Sequence, residues 1–325
     1  IKQLLDDLRS TNIPFITVNN SEWFTLFRDE IRNSIAIEGI ITNRNELLEV
    51  LEHSRKTLDQ KSAAILGYFE AASTLYEYAN NQFETNEFQL RLSDLKQIHT
   101  LLMRYEHQLG SFTGQLGGFR NEDVAVTNSK FTPLNYHHLH RMLPVFIEWH
   151  NENITKPKFD LLTFIAASHI LFETIHPFRD GNGRVGRILL SYILIGSGLI
   201  NITLKGTKKI HRDKYYQALE IGDNEMEVML RRNENGEIPT VARINRAVKN
   251  SDLTEMKTMI RNRLNYSVEL IEKKLKTLDE EALIPLREAA KFYNYSQDYL
   301  RQLIHKGKLP ASKQGKLWVV KVRDM

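Results

Sequence analysis

The chain has 325 residues, of which 42% are hydrophobic and 26% charged, with a net charge of +4 and no cysteine. That length accommodates two or three domains and a large core, and the balance is that of a soluble globular protein. The lack of cysteine excludes disulfides and thiolate metal sites; it fits a reducing compartment, so a cytoplasmic location is expected. The most apolar run, residues 188–202, is too short to span a bilayer and is interrupted by Ser and Gly, so no membrane partner is expected. The first residues carry no signal-peptide pattern. Charge is unevenly spread. Residues 285–325 hold nine Lys/Arg against three Asp/Glu, a surplus of six that exceeds the whole-chain +4. The rest is therefore net acidic, and the tail reads as a separate module with an anionic partner.

In chain order, residues 1–20 read as a polar arm. Residues 21–33 read as a short helix beginning at a good N-cap, Ser21. In Ser34-Ile35-Ala36-Ile37-Glu38-Gly39, Ser34 and Glu38 share a face if the segment is helical, and Gly39 suits the C-terminal stop. Taken alone, this is a helix end with one exposed Glu. Further helices are expected over 45–55, 61–80 and 93–105. The stripe Ala64, Tyr68, Ala71, Leu75 and Tyr78 suits core packing.

Residues 114–133 break the helical pattern. Short alternating apolar residues flank the polar turn Asn128-Ser129-Lys130, which reads either as a small β-hairpin or as a plain connecting loop. A hairpin beside a site could bind an extended peptide by adding a strand. Helices are then expected over 135–151, 159–175, 184–195 and 211–221. A long charged helix over 238–278 has the stripe Ile260, Leu264, Val268, Ile271 and Leu275, which suits a spacer or a dimer contact. At the tail, two short helices (286–293 and 296–305) precede a hairpin over 311–320. This is helix-turn-helix geometry with a basic wing.

The most informative stretch is His176-Pro177-Phe178-Arg179-Asp180-Gly181-Asn182-Gly183-Arg184-Val185-Gly186-Arg187. Pro177 ends the preceding helix, and after the glycines helical spacing resumes. The resulting loop and helix N-terminus form a phosphate cradle. Asp180 is a hard oxygen ligand suited to Mg²⁺. Gly181 and Gly183 let the backbone approach phosphate oxygens, and Asn182 can donate through its amide. Arg184 and Arg187, three apart, can reach one polyphosphate. His176 has the intrinsic basicity to take a proton from a hydroxyl near neutral pH.

These residues match the signature H-x-F-x-[D/E]-G-N-G-R-x-x-R at every defined position. At about 5% usage per residue, a chance match is on the order of 10⁻¹⁰ per start site. The chain therefore resembles the Fic family, over roughly residues 92–223. The resemblance implies a mainly α, Fic-type helical bundle with a small β-hairpin flap. It also implies transfer of AMP from ATP to a Ser, Thr or Tyr hydroxyl of a target protein, with release of pyrophosphate. His176 would be the general base, Phe178 the anchor of the loop, and Asp180 the Mg²⁺ ligand. Gly181, Asn182 and Gly183 would form the anion hole, with Arg184 on the β-phosphate and Arg187 on the γ-phosphate. The flap that clamps the target would comprise Val126, Thr127, Asn128, Ser129, Lys130, Phe131 and Thr132. Ser34, Glu38 and Gly39 also fit the family's inhibitory-helix pattern [S/T]-x-x-x-E-[G/N], in which Glu38 would pair with Arg187.

The last forty residues resemble the excisionase-type winged helix-turn-helix, with Arg301, Lys306 and Lys308 as candidate DNA-phosphate contacts. Such a small module implies a homodimer for DNA binding. The expected organisation is an N-terminal helical region over 1–91, with its inhibitory helix at about 30–39. A Fic catalytic domain over 92–237, a helical linker over 238–281 and a winged helix-turn-helix over 282–325 follow. Two alternatives to AMP transfer are a DNA-binding regulator that uses the Fic domain as a nucleotide sensor, and a hydrolase that removes AMP from a modified target.

Overall fold

A computed structural model of the chain describes residues 16, 21–52, 57–126, 132–276, 283–293, 295–315, 317–321 and 324–325. Packing divides the chain into two units, one of residues 28–264 and a second that takes the segment up to Phe27 and everything from Asn265.

The larger unit is built from helices: α1 (Ser21–Ile37, which begins in the other unit), α2 (Arg44–Leu51), α3 (Gln60–Glu84), α4 (Leu92–Leu109), α5 (Leu139–Thr155), α6 (Leu161–Ile175), α7 (Asn182–Gly196), α8 (Lys209–Glu234), α9 (Val241–Asn250) and α10 (Thr254–Lys276, which ends in the other unit). Local chemistry sets many of their ends. Asp59 and Ser62 cap α3 reciprocally, each backbone N–H donating 2.8 Å to the other's side chain. Asp160 caps α6 through the Thr163 N–H at 3.0 Å. Gly110, left-handed at φ +79°, stops α4.

Helices α6 and α7 are the centre. Nearly every residue of α7 is buried, its polar side chains Asn182, Arg184, Arg187 and Ser191 included. Around them, α3 lies against α4 and α7, and α6 against α7 and α8. The α3–α4 crossing is close because position 67 has no side chain: a Cβ there would lie 2.0 Å from the Leu102 carbonyl oxygen.

Several expectations are corrected. The helix expected over 238–278 is two, α9 and α10. Ser251 leaves the helix in an extended conformation, and the Asp252 carboxylate accepts the Thr254 N–H at 3.0 Å to start the next one. Of the stripe read as a spacer or a dimer contact, Ile260, Leu264, Val268 and Ile271 are buried, while the Leu275 side chain lies outside the described residues. The helix expected over 211–221 runs from Lys209 to Glu234. Tyr78 leaves the core stripe and is 37% exposed, its hydroxyl accepting from the Arg91 guanidinium at 2.7 Å. In the hairpin expected near 124–132, residues 127–131 lie outside the described residues, and the flanking 119–126 and 132 are not in strands.

The tail has its own small core of Leu286, Ala289, Ala290, Leu300, Leu309 and Val320. Helices α11 (Leu286–Phe292) and α12 (Gln297–His305) accompany an antiparallel sheet of β1 (Leu283–Pro285), β2 (Ala311–Gln314) and β3 (Leu317–Lys321), in the order β1-β3-β2. Ser296 caps α12 by accepting the Tyr299 N–H at 3.1 Å. Strand β1, with Ile284 opposite Val320, was not expected. No helix among the described residues is long and apolar enough to cross a membrane.

Gly67→Ala is expected to lower stability by about 1–3 kcal/mol, because the added methyl must push α3 from α4. Thermal unfolding of the purified variant measures it.

Candidate active site

The site starts at the end of α6. His176 takes the left-handed conformation, φ 51°, ψ 62°, which costs a side-chain-bearing residue about 1–2 kcal/mol. Arg120 secures it. The Arg120 N–H donates to the Pro177 carbonyl at 2.9 Å. Its Nε donates to the His176 carbonyl at 2.8 Å, and its remaining guanidinium nitrogens reach the carbonyls of Glu122 and Leu134. The turn is thus fixed from outside by a buried cation that spends its donors on backbone oxygens.

The His176 ring is oriented by its own helix. Nδ1 lies 3.2 Å from the Glu173 carbonyl oxygen. A carbonyl can only accept, so the hydrogen-bond pattern assigns the proton to Nδ1 and leaves Nε2 as the free lone pair. Burial lowers the imidazole to about 4, outweighing the raising effect of the Glu173 carbonyl. The ring is therefore neutral at pH 7.

The loop that follows is closed by Asn182. Its Oδ1 accepts the Phe178 N–H at 2.8 Å and its Nδ2 donates to the Phe178 carbonyl at 2.7 Å. The side-chain amide read as a phosphate donor is thus engaged within the loop. Phe178 is fully buried and stacks on His99 at 4.1 Å. Asp180 is exposed, its Oδ1 accepting the Gly181 N–H at 2.5 Å. Gly181, at φ +76°, turns the chain into α7. The first intrahelical bond there is Val185 N–H to the Gly181 carbonyl at 2.9 Å, so the N–H groups of residues 182–184 precede the ladder and lie at the positive end of the helix.

The two arginines are held from different sides. Arg184 forms a two-pronged pair with Glu106 of α4, one prong being 3.2 Å from Nη2 to Oε2. Burial would lower the Arg184 pKa, but the Glu106 hydrogen bond and charge outweigh it and the net shift is upward. Arg187 meets α1: its Nε donates to Ser34 Oγ at 2.7 Å, and its Nη2 to the Ser34 carbonyl at 3.2 Å and to Glu38 Oε1 at 2.5 Å. The Tyr215 ring lies beneath the guanidinium at 5.9 Å. The Glu38 side chain is 37% exposed, so the pair sits at the mouth of the site. Burial of its carboxyl pushes the Glu38 pKa up, yet Arg187 outweighs that and holds it below the usual value. A Cβ at Gly183 would lie 2.6 Å from Glu38 Oε1. Glu38 therefore stands over the N-terminus of α7, where an anion would be drawn, and Gly183 makes room for it. Gly39, left-handed at φ +84°, ends the segment.

His176, Asp180, Gly181, Asn182, Gly183, Arg184 and Arg187 thus share one site with Ser34, Glu38 and Gly39. Of the flap residues, Val126 and Thr132 are described, while Thr127, Asn128, Ser129, Lys130 and Phe131 are outside the described residues. Arg301, Lys306 and Lys308 belong to the tail unit, where all three are exposed and Arg301 pairs with Asp298 at 3.0 Å. Sequence reasoning missed Glu106, the role of Arg120, and Glu173. The last has a buried Oε1 without a hydrogen-bond partner, and burial raises its carboxyl to about 8 against the pull of Arg187.

Residues 89–194 match the Fic/DOC family model and residues 286–325 match a helix-turn-helix domain model. The chain is 29% identical over 309 residues to a probable protein adenylyltransferase of Aquifex aeolicus (strain VF5), covering 92% of this chain and 86% of that one. It is 26% identical over 193 residues to protein adenylyltransferase Fic of Aedes aegypti; that match takes in 59% of this chain but only 36% of the longer mosquito protein. Among solved structures, Fic-1 of C. elegans (residues 134–508) superposes with a TM-score of 0.60 at 17% identity, covering 85% of this chain and 71% of that one. A Fic domain-containing signaling protein from Bacteroides thetaiotaomicron gives 0.59 at 18%, covering 77% and 89%. Residues 89–194 thus form a Fic/DOC domain and residues 286–325 a helix-turn-helix domain.

Glu106→Ala leaves the Arg184 charge buried without its carboxylate. A loss of about 3–5 kcal/mol is expected, read by denaturant unfolding.

Proposed function

We propose that the protein is a protein adenylyltransferase, transferring AMP from ATP to a Ser, Thr or Tyr hydroxyl of a target protein, and that Glu38 restrains it. The observation that carries this reading is the grip of Glu38 on Arg187 above the open N-terminus of α7, a few residues from a neutral histidine with a free Nε2. The names of the Aquifex and mosquito relatives support it.

The chemistry follows from the groups present. The incoming hydroxyl gives its proton to His176 Nε2, its oxygen bonds to the α-phosphorus, and the bond from that phosphorus to the bridging oxygen breaks to release pyrophosphate. The N–H groups at the start of α7 receive phosphate oxygens. Arg184 and Arg187 hold the β- and γ-phosphates, which requires Arg187 to exchange Glu38 for phosphate. Asp180 is an exposed single carboxylate, and no group of three or more His, Cys, Asp or Glu suited to a metal occurs among the described residues. That donor set fits Mg²⁺, which takes one or two carboxylates together with phosphate oxygens and water. Bound there, the ion would neutralise phosphate charge. The segment Val126–Thr132 is the part that clamps the target backbone.

Two measurements test this. With purified protein, α-labelled ATP, Mg²⁺ and lysate, Glu38→Gly is expected to raise AMP incorporation about 10- to 100-fold, the worth of one charge-assisted hydrogen bond. Adding His176→Ala is expected to lower it about 10²- to 10⁴-fold. No gain in Glu38→Gly overturns the restraint; undiminished incorporation without His176 overturns the base.

The tail binds DNA in the same proposal, as a homodimer, on the strength of its helix-turn-helix match, its basic surplus and three exposed cations. Replacing Arg301, Lys306 and Lys308 together by Ala is expected to weaken binding to all duplexes alike. The slope of log K against log salt should flatten by about one per lost phosphate contact, as measured by fluorescence anisotropy across a salt series.

A further inference from the structure

Helix α1 is attached at a second and deeper point. Glu30, Ser34 and Glu38 are spaced by four and form one stripe along it. Glu30 is 3% exposed, and its carboxylate collects donors from two helices and a loop. Oε1 accepts from the hydroxyls of Tyr68 at 3.0 Å, Tyr76 at 2.5 Å and Ser191 at 3.3 Å. Oε2 accepts from Asn201 Nδ2 at 2.7 Å. Ser34 Oγ receives the Arg187 Nε–H, and Glu30, Ser34, Tyr68 and Arg187 together line one small cavity.

A hydroxyl has one proton, and Tyr68 gives its own to Glu30. Glu30 therefore ties α1 to α3, to α7 through Ser191 and to Asn201, one turn before Ser34 meets Arg187.

We propose that Glu30 is a positioning residue of the restraint: by fastening α1 to Tyr68, Tyr76, Ser191 and Asn201 it holds Ser34, one turn further along, and Arg187 in the geometry that Glu38 grips. The inference rests on the reading of Glu38 as an inhibitor. It explains why α1 uses a carboxylate where a buried helix would ordinarily carry an apolar side chain.

Burial raises Glu30 to about 7, against its four hydrogen bonds; on a released helix it returns towards the ordinary value. A group whose pKa is raised in the held state contributes most below its ordinary value, and that contribution is lost as pH rises through about 7. The hold is therefore stronger at pH 6 than at pH 8. Of the groups facing Glu30, Tyr68 and Tyr76 are pushed up by burial and stay neutral, Ser191 and Asn201 do not titrate, and Arg187, across the cavity, stays charged. Glu38, held low, stays ionised over this range, and His176 stays neutral. Glu173 also titrates near 8 and lies close to Arg187, so the test must isolate Glu30.

The experiment measures labelled-AMP incorporation by the full chain at pH 6 and pH 8 for wild type, Glu30→Ala and Glu30→Gln, each with and without the Glu38→Gly change, alongside amide hydrogen exchange of α1. Glu30→Ala is expected to raise incorporation about tenfold, as the loss of a buried hydrogen-bonding anchor would. It should also speed exchange in α1 and add nothing to Glu38→Gly. Glu30→Gln keeps the acceptor and stays restrained. The gain on adding Glu38→Gly, larger at pH 6 than at pH 8 in wild type, becomes the same at both in the Gln background. If Glu38→Gly is released but Glu30→Ala is as slow as wild type, the inference is wrong and the Glu38 reading stands. If Glu38→Gly itself is not released, both fall. Should Glu30→Ala fail to fold, an unchanged pH dependence in the Gln background overturns the inference alone.

Discussion

Arg187 is a full positive charge that is 4% exposed, and a charge so placed must be matched where it stands. Much of the arrangement around α7 answers that requirement. Ser34 supplies a hydroxyl and a carbonyl, Glu38 a carboxylate, and Tyr215 an aromatic face. Arg184, one turn earlier, is matched by Glu106 of α4. The two cations of one helix are thus neutralised by separate elements, which makes them independently releasable. α1 is further tied by the Asn33 side chain, whose Oδ1 accepts the Gly206 N–H at 3.0 Å, and by the Tyr216 hydroxyl on the Ile37 carbonyl at 3.2 Å.

The second constraint is backbone shape. A left-handed histidine followed by proline would not persist without support. Arg120 and Asn182 give it from two directions, one holding the carbonyls before the loop and the other stitching both ends of Phe178. The base, the loop and the start of α7 are therefore held in place by the fold before any ligand arrives.

Much of this was legible. Twelve consecutive residues carry the motif, because the loop's chemistry is local: proline stops one helix, glycine starts the next, and the charges lie within a turn. The stripe Glu30–Ser34–Glu38 was also there to be read at intervals of four, yet only its last two members matched a pattern. Glu106 was not legible, since it meets Arg184 from 78 residues away and looks like any helical Glu. The break at Ser251-Asp252 has a capping signature that the apolar stripe on both sides masked. Strand β1 has only three residues and no alternation to detect; it exists because β3 offers it an edge.

Glu38 travels on the same chain as the arginine it grips. A tethered group competes at an effective concentration set by geometry, commonly millimolar for short flexible links, and higher where a helix holds it in place. Dilution cannot loosen such a competitor, and no second molecule is needed to deliver it. An anion entering the mouth of the site must outbid a carboxylate at fixed local concentration. Every kcal/mol added to the seat of α1 is subtracted from the apparent affinity of that anion, and by reciprocity a bound anion loosens α1 by the same amount.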